Sequence, residues 1–286
     1  MNFSIKNISE QEIKSDALIL PIFEDIKADI YSELDDISGG LIKKIYGSDE
    51  FSGKLNQTLL IYVKNINTLR ILLVGLGKKG DVSNEKIRQC GGKAFSFLKG
   101  IGIKEAAIST KAFSYIKGSI KGDMKPVEYF IEGGLLGLYS FERYRKPERK
   151  TNLKDIVVLN GDKDIYFSRI ETIVDSVNYA RNLINTPSNH MTPSSLASEA
   201  LKLSGKNVKV NILDKKACEK EGMEAYLAIA KGSAEPLKFI TIEYKGGKGK
   251  PIVLIGKSIT FDSGGISITP SVGMEKMKYD MSGGAS

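Results

Sequence analysis

Residues 251–286 read PIVLIGKSITFDSGGISITPSVGMEKMKYDMSGGAS. The apolar run 252–255 ends in Gly256 and Lys257. Asp262 follows five residues after Lys257, in a turn with Ser263, Gly264 and Gly265. Asp280 stands eighteen residues beyond Asp262 and is followed by Gly283 and Gly284. A buried strand that delivers ionisable groups into glycine-rich turns is how an α/β protein builds a polar site at the carboxyl ends of its strands. A lysine directly after a buried strand is costly unless it is paired or sits as a neutral amine on a metal. Two carboxylates on strand-end turns suit a divalent ion such as Mg²⁺, Mn²⁺ or Zn²⁺. The other reading is a lysine and two acids on solvated loops, with the glycines serving only as turns. Composition alone does not separate the two.

Upstream, the chain alternates. Runs 17–22, 58–63, 71–74, 106–109 and 156–159 are short, apolar and bounded by turns, so they predict strands. Residues 84–98 carry Ile87, Cys90, Ala94, Phe97 and Leu98 at helical spacing, and 126–144 predicts a second helix with Pro126 in its first turn. After a polar stretch containing Pro147 comes a helix over 164–184, with Ile165, Ile170, Ile173, Val174, Val177, Ala180 and Ile184 on one face. Thr192 and Pro193 then read as the cap and first position of a helix to about residue 204. Strands over 208–213, 237–244 and 251–255 and a helix over 214–221 complete the pattern. The fold class is α/β, with an N-terminal α/β domain over 1–155 and a second domain over 156–286.

A length of 286 residues accommodates two domains, and 41% hydrophobic with 27% charged residues is the balance of a soluble globular chain. No apolar run approaches the roughly 18 residues of a membrane span, and the first residues have no secretory apolar core. The chain therefore reads as cytoplasmic. Cys90 and Cys218 match no disulfide or metal spacing and read as inert thiols. The net charge of +8 permits nucleic-acid contact without requiring it. The densest basic stretch, 143–154, holds six basic residues with no aromatic interleaving beyond Tyr144, and a solvated linker explains it better than a nucleic-acid patch.

Three motifs fail on inspection. Gly75-Leu76-Gly77-Lys78-Lys79-Gly80 has dinucleotide-loop spacing, but the predicted helix starts after Ser83 and no acid closes the next strand, so it reads as a tight loop. Gly256-Lys257-Ser258 ends like a phosphate loop, but Pro251 stands where the first glycine belongs. Asp262-Ser263-Gly264-Gly265 resembles a serine-nucleophile turn, but a triad needs a histidine base. The chain has one histidine, His190, which reads as a loop residue.

The segment 256–286 resembles the metal-binding segment of the leucyl (cytosol) aminopeptidases. EGGLLGLYSFERYR at 132–145, NLINTPSNHMTPSSLA at 182–197 and GMEAYLAIAKGSAEPLKFITIEYKG at 222–246 resemble further signatures of that family, in family order. The resemblance implies an N-terminal α/β domain, a linking helix, and the first part of an α/β metallopeptidase domain. It implies a hexamer that removes leucine-like N-terminal residues from peptides, using two divalent ions, Zn or Mn, that activate water and hold the substrate amine. By motif position Lys257 would bind one metal as a neutral amine, Asp262 would bridge both, and Asp280 would bind one. Met277 would line the pocket for the substrate's first side chain.

Two departures qualify it. Thr269 occupies the position of the family's catalytic lysine, and loss of such a charge costs about 10²- to 10³-fold in rate. The family's N-T-D-A-E-G-R motif, which supplies two further carboxylate ligands and an arginine, is absent. The expectation is a C-terminally truncated chain that does not catalyse by itself. The alternative is a non-catalytic relative serving oligomer or nucleic-acid contacts, for which Thr269 would be the signature.

Overall fold

The computed structural model describes residues 1–26, 28–119, 121–146 and 153–286. Residues 147–152, the centre of the basic stretch, lie outside them. Contacts divide the chain into Met1–Ser176 and Val177–Ser286, whereas the sequence places a boundary at 155/156. Among the described residues no helix is long and apolar enough to cross a membrane.

The first unit contains β1 (Asn2–Lys6), β2 (Ala17–Ile22), α1 (Ser32–Ile37), α2 (Leu41–Ile45), β3 (Thr58–Tyr62), β4 (Arg70–Gly75), α3 (Asn84–Gly100), β5 (Glu105–Ser109), α4 (Pro126–Gly137), β6 (Asp155–Leu159) and the start of α5 (Phe167–Asn185). One sheet runs in the order β1-β6-β5-β2-β4-β3. Every pairing is parallel except β3 with β4. β2 (ALILPI) is buried at all six positions, as a central parallel strand must be. Its side chains alternate between two cores. Leu18, Leu20 and Ile22 face Tyr31, Leu34 and Ile42, while Ala17 and Ile19 face α3 and α4. The sequence reading passed over β1, although Phe3 and Ile5 alternate with Asn2, Ser4 and Lys6 at strand period.

α3 and α4 cross with almost no separation. A methyl group on Gly91 would lie 1.8 Å from the Phe130 carbonyl oxygen, and one on Gly133 would lie 2.0 Å from that of Arg88. α4 stops at Gly137 rather than running to 144. The carbonyls that its end leaves unpaired are taken by α3, since Ser96 Oγ donates to Gly137 O at 2.9 Å and Lys99 Nζ to Leu138 O at 2.9 Å. In the 75–80 motif Gly75 is needed for packing and Gly77 for its backbone conformation, while Gly80 has open space around it. A Cβ on Gly75 would meet Lys54 O at 2.0 Å, Gly77 is left-handed at φ 75°, and α3 begins only at Asn84. Cys90 lies buried with Sγ donating to Gly75 O at 3.2 Å, and burial pushes its pKa up to about 11. Burial likewise raises the Cys218 thiol.

The second unit continues α5 and adds α6 (Pro193–Leu201), β7 (Val208–Leu213), α7 (Lys215–Lys220), α8 (Glu224–Ala230), β8 (Phe239–Tyr244), a 3₁₀ helix (Met274–Met281) and α9 (Ser282–Ala285). Thr192 caps α6 by accepting from Ser195 N at 3.2 Å, and Asp214 caps α7 by accepting from Ala217 N at 2.9 Å. β7 and β8 pair antiparallel and form the sheet of this unit. One expectation fails here. Residues 251–255 form no strand, and Ile252, Leu254 and Ile255 are 88%, 91% and 96% exposed. A buried strand needs neighbours on its edges, and among the described residues β7 and β8 pair only with each other.

Gly91→Ala forces the α3–α4 backbones apart and is expected to cost about 1–3 kcal/mol, read as a lower melting temperature by calorimetry. Gly100→Ala in the same helix meets nothing within 4 Å and should leave stability unchanged or raise it by up to about 1 kcal/mol. Equal melting temperatures for the two variants would refute the crossing as the cause.

Candidate metal centre

Three of the sequence-selected side chains meet. Lys257 Nζ lies 2.7 Å from Asp262 Oδ2 and 2.8 Å from Asp280 Oδ2. Each comes from a different local structure. Asp262 opens a tight turn in which its Oδ1 accepts from Gly264 N at 2.9 Å. Gly264 and Gly265 have φ of 92° and 72°, the left-handed region in which a Cβ is strained. The turn is closed by Thr269 N donating to Ser263 O at 2.8 Å. Asp280 stands near the end of the 3₁₀ helix, next to Met281. That methionine is 1% exposed and packs with Leu183, Met191 and Leu196, so Asp280 is anchored through its neighbour. Met277 lies three residues before Asp280, on the same side of a helix with three residues per turn. Its carbonyl accepts from Asp262 N at 3.4 Å, linking the turn to the helix. Lys257 is placed from its own backbone, since Lys257 O accepts from Gly284 N at 2.7 Å.

The electrostatics follow from this geometry. The hydrogen bond from Lys257, then that from Gly264, holds the Asp262 carboxyl below its ordinary range. The hydrogen bonds to Asp262 and then Asp280 raise the Lys257 ammonium above its ordinary value. One cation thus faces two anions, a site with one negative charge in excess. An amine nitrogen and two carboxylate oxygens that converge within about 3 Å of one point are a fitting partial donor set for Zn²⁺ or Mn²⁺. Among the described residues no three Asp, Glu, His or Cys side chains gather, so these donors alone make an incomplete shell.

Thr269 lies against the Asp262 turn. A Cβ built on Gly264 would come within 2.9 Å of Thr269 Oγ1. Its hydroxyl is on the same turn as the candidate ligand and carries no charge. His190 lies in the exposed turn between α5 and α6, where its N–H donates to Pro187 O at 2.9 Å. The sequence reading missed the contribution of Gly256, Gly283 and Gly284. Their only signal was the pairing of a glycine before Lys257 with a glycine doublet after Asp280.

Comparison with known proteins bears on the family and the fold. The profile for the cytosol aminopeptidase family, N-terminal domain, matches residues 19–148. The profile for the cytosol aminopeptidase family, catalytic domain, matches residues 178–286. The probable cytosol aminopeptidase of Pseudomonas syringae pv. tomato is 37% identical across 100% of this chain, and that of Azotobacter vinelandii is 36% identical across 100%. The chain spans 60% of the length of each. A solved lysine-to-glutamate mutant of tomato leucine aminopeptidase superposes with a TM-score of 0.81 at 26% identity, over 100% of this chain and 57% of that one. The bottromycin maturation enzyme BotP in complex with Mn shares the fold, with a TM-score of 0.67 at 21% identity over 95% of this chain and 54% of that one. With both of its domain profiles matched in order and its fold shared along the whole length, the chain belongs to the cytosol aminopeptidase family.

Proposed function

We propose that the protein is a metal-dependent aminopeptidase that releases leucine-like N-terminal residues from peptides. The convergence of Lys257, Asp262 and Asp280 carries this reading. α5 would link an N-terminal α/β domain to the metallopeptidase domain. Two divalent ions, Zn or Mn, would polarise the scissile carbonyl and lower the pKa of a water nucleophile when bound. Asp262 would hold both and Asp280 one, while Lys257 would contribute a neutral amine nitrogen. Met277, beside Asp280 on the 3₁₀ helix, would receive the first side chain of the peptide in an apolar contact. A hexamer of the kind the family forms, acting on peptides in the cytoplasm, is the proposed working state.

Thr269 sets the limit on rate. A hydroxyl can donate a hydrogen bond to a developing oxyanion but cannot neutralise it, so this protein should be slower than a relative with lysine there. The rival reading, a non-catalytic relative, draws on the same residue together with the net charge of +8. Steeply salt-dependent DNA binding without peptidase activity would favour the rival.

With three donors, the 286-residue chain by itself should bind Mn²⁺ weakly and show no turnover of leucine p-nitroanilide. Asp262→Asn and Asp280→Asn should each weaken Mn²⁺ binding at least about tenfold, measured by electron paramagnetic resonance of the free ion. Unchanged binding in both variants would refute the assignment, and turnover by the chain alone would refute the incomplete shell. In the protein at the length of its relatives, Thr269→Lys should raise kcat on the anilide by about 10²- to 10³-fold. An unchanged kcat would mean that another group supplies the charge.

A further inference from the structure

We infer that Gly256, Gly283 and Gly284 are positioning residues, a backbone clasp that sets Lys257 against Asp280; as a device of the metal centre it rests on the reading of these two side chains as ligands. None of the three glycines has a φ in the left-handed region, so backbone conformation does not demand glycine at these positions. The neighbours do. A Cβ on Gly256 would stand 2.1 Å from Gly283 O and 2.4 Å from Gly283 C, both backbone atoms that cannot swing aside. A Cβ on Gly284 would stand 1.6 Å from Ser258 Oγ and 2.8 Å from Ser258 Cβ. A Cβ on Gly283 would come within 3.2 Å of Lys257 N. By contrast, Gly265 in the Asp262 turn has open space around it and is glycine for its φ of 72°.

The ion pairs do not hold these segments together. The Lys257 side chain is 50% exposed, and an exposed pair on a flexible stem gains little beyond the entropy of ordering it. The hydrogen bond from Gly284 N to Lys257 O, at 2.7 Å, lies where Gly256, Lys257 and Ser258 run close against Gly283 and Gly284. The backbone contact therefore comes first. It brings the stem of Lys257 close enough for Nζ to reach Asp280 at 2.8 Å and Asp262 at 2.7 Å.

The test compares Gly284→Ala, Ser258→Gly and the double variant, each read in two ways. The first is hydrogen exchange of the residue-284 amide in metal-free protein by NMR. The second is Mn²⁺ affinity, with Asp262→Asn as the reference. Gly284→Ala should speed exchange about tenfold or more and weaken Mn²⁺ binding about 10- to 100-fold, as loss of an orienting partner does. Ser258→Gly removes the two nearest atoms that the new methyl group strikes and leaves only Lys257 O at 3.1 Å, so the double variant should regain most of both. A simple loss of foldedness would not be repaired in this way. Unchanged exchange in Gly284→Ala, or no recovery in the double variant, would overturn the clasp. If Asp262→Asn loses Mn²⁺ and Gly284→Ala does not, the clasp fails as a positioning device while the metal reading stands. If exchange responds and recovers but neither the parent nor any variant binds Mn²⁺, the clasp stands and the metal reading falls.

Discussion

The first unit is organised by the burial of β2. A strand whose six side chains are all inaccessible, with partners on both edges, must have a layer on each face. α1 and α2 cover one face, and α3 and α4 cover the other. Parallel neighbours require crossover connections, and here these are the helices that form the layers. α3 and α4 must then share one face of the sheet. Gly91, Gly92, Gly133 and Gly137 let them approach until backbone meets backbone. The sheet thus determines the helix layers, and one of those layers dictates a row of residues without side chains.

The second unit relies on a different balance. Its small core of Leu183, Met191, Leu196 and Met281 anchors the helix that bears Asp280. The three charged groups themselves remain partly open to water. In such a setting Coulomb attraction is screened, and it cannot fix where the groups lie. Local backbone geometry does so. The Asp262 turn is closed by hydrogen bonds from Gly264 and Thr269, and the Lys257 backbone is held by Gly284. Two carboxylates and one ammonium leave an excess negative charge, which favours a cation. The hydrogen bonds to Asp262 and Asp280 raise the Lys257 pKa, so its ammonium balances part of that charge.

Much of this was legible from the sequence because the signals were local. The apolar run of β2, the helical spacing of α3, and the Thr192-Pro193 cap each state their structure within a few residues. Lys257, Asp262 and Asp280 were legible as candidates because two of them sit beside turn glycines and the third comes after an apolar run. β1 was missed because only Phe3 and Ile5 carry its alternation, too short a run to stand out. The end of α4 was misplaced because its carbonyls are satisfied by Ser96 and Lys99 of α3, partners about forty residues away in sequence. Packing glycines are equally silent. Nothing in the sequence separates Gly256, excluded from bearing a methyl group by Gly283, from Gly265, which is glycine for its φ.

The run at 252–255 shows the limit of pattern reading most clearly. PIVLI and the ALILPI of β2 are similar apolar strings, yet one is fully exposed and the other fully buried. A hydrophobic pattern states the environment a segment requires, not that the environment is present. Each large aliphatic side chain left in water forgoes about 1.5–3 kcal/mol of burial, so packing of this run cannot fix the position of its C-terminal neighbours. Lys257 is among them, two residues past Ile255. In an ordinary α/β site the strand would aim such a residue. Here no strand does so, and Lys257 nevertheless meets Asp262 and Asp280. The placement must then come from the other side of the contact, from Gly283 and Gly284 and the helix anchored by Met281. The meeting of Lys257 with Asp280 therefore depends on the segment that bears Asp280.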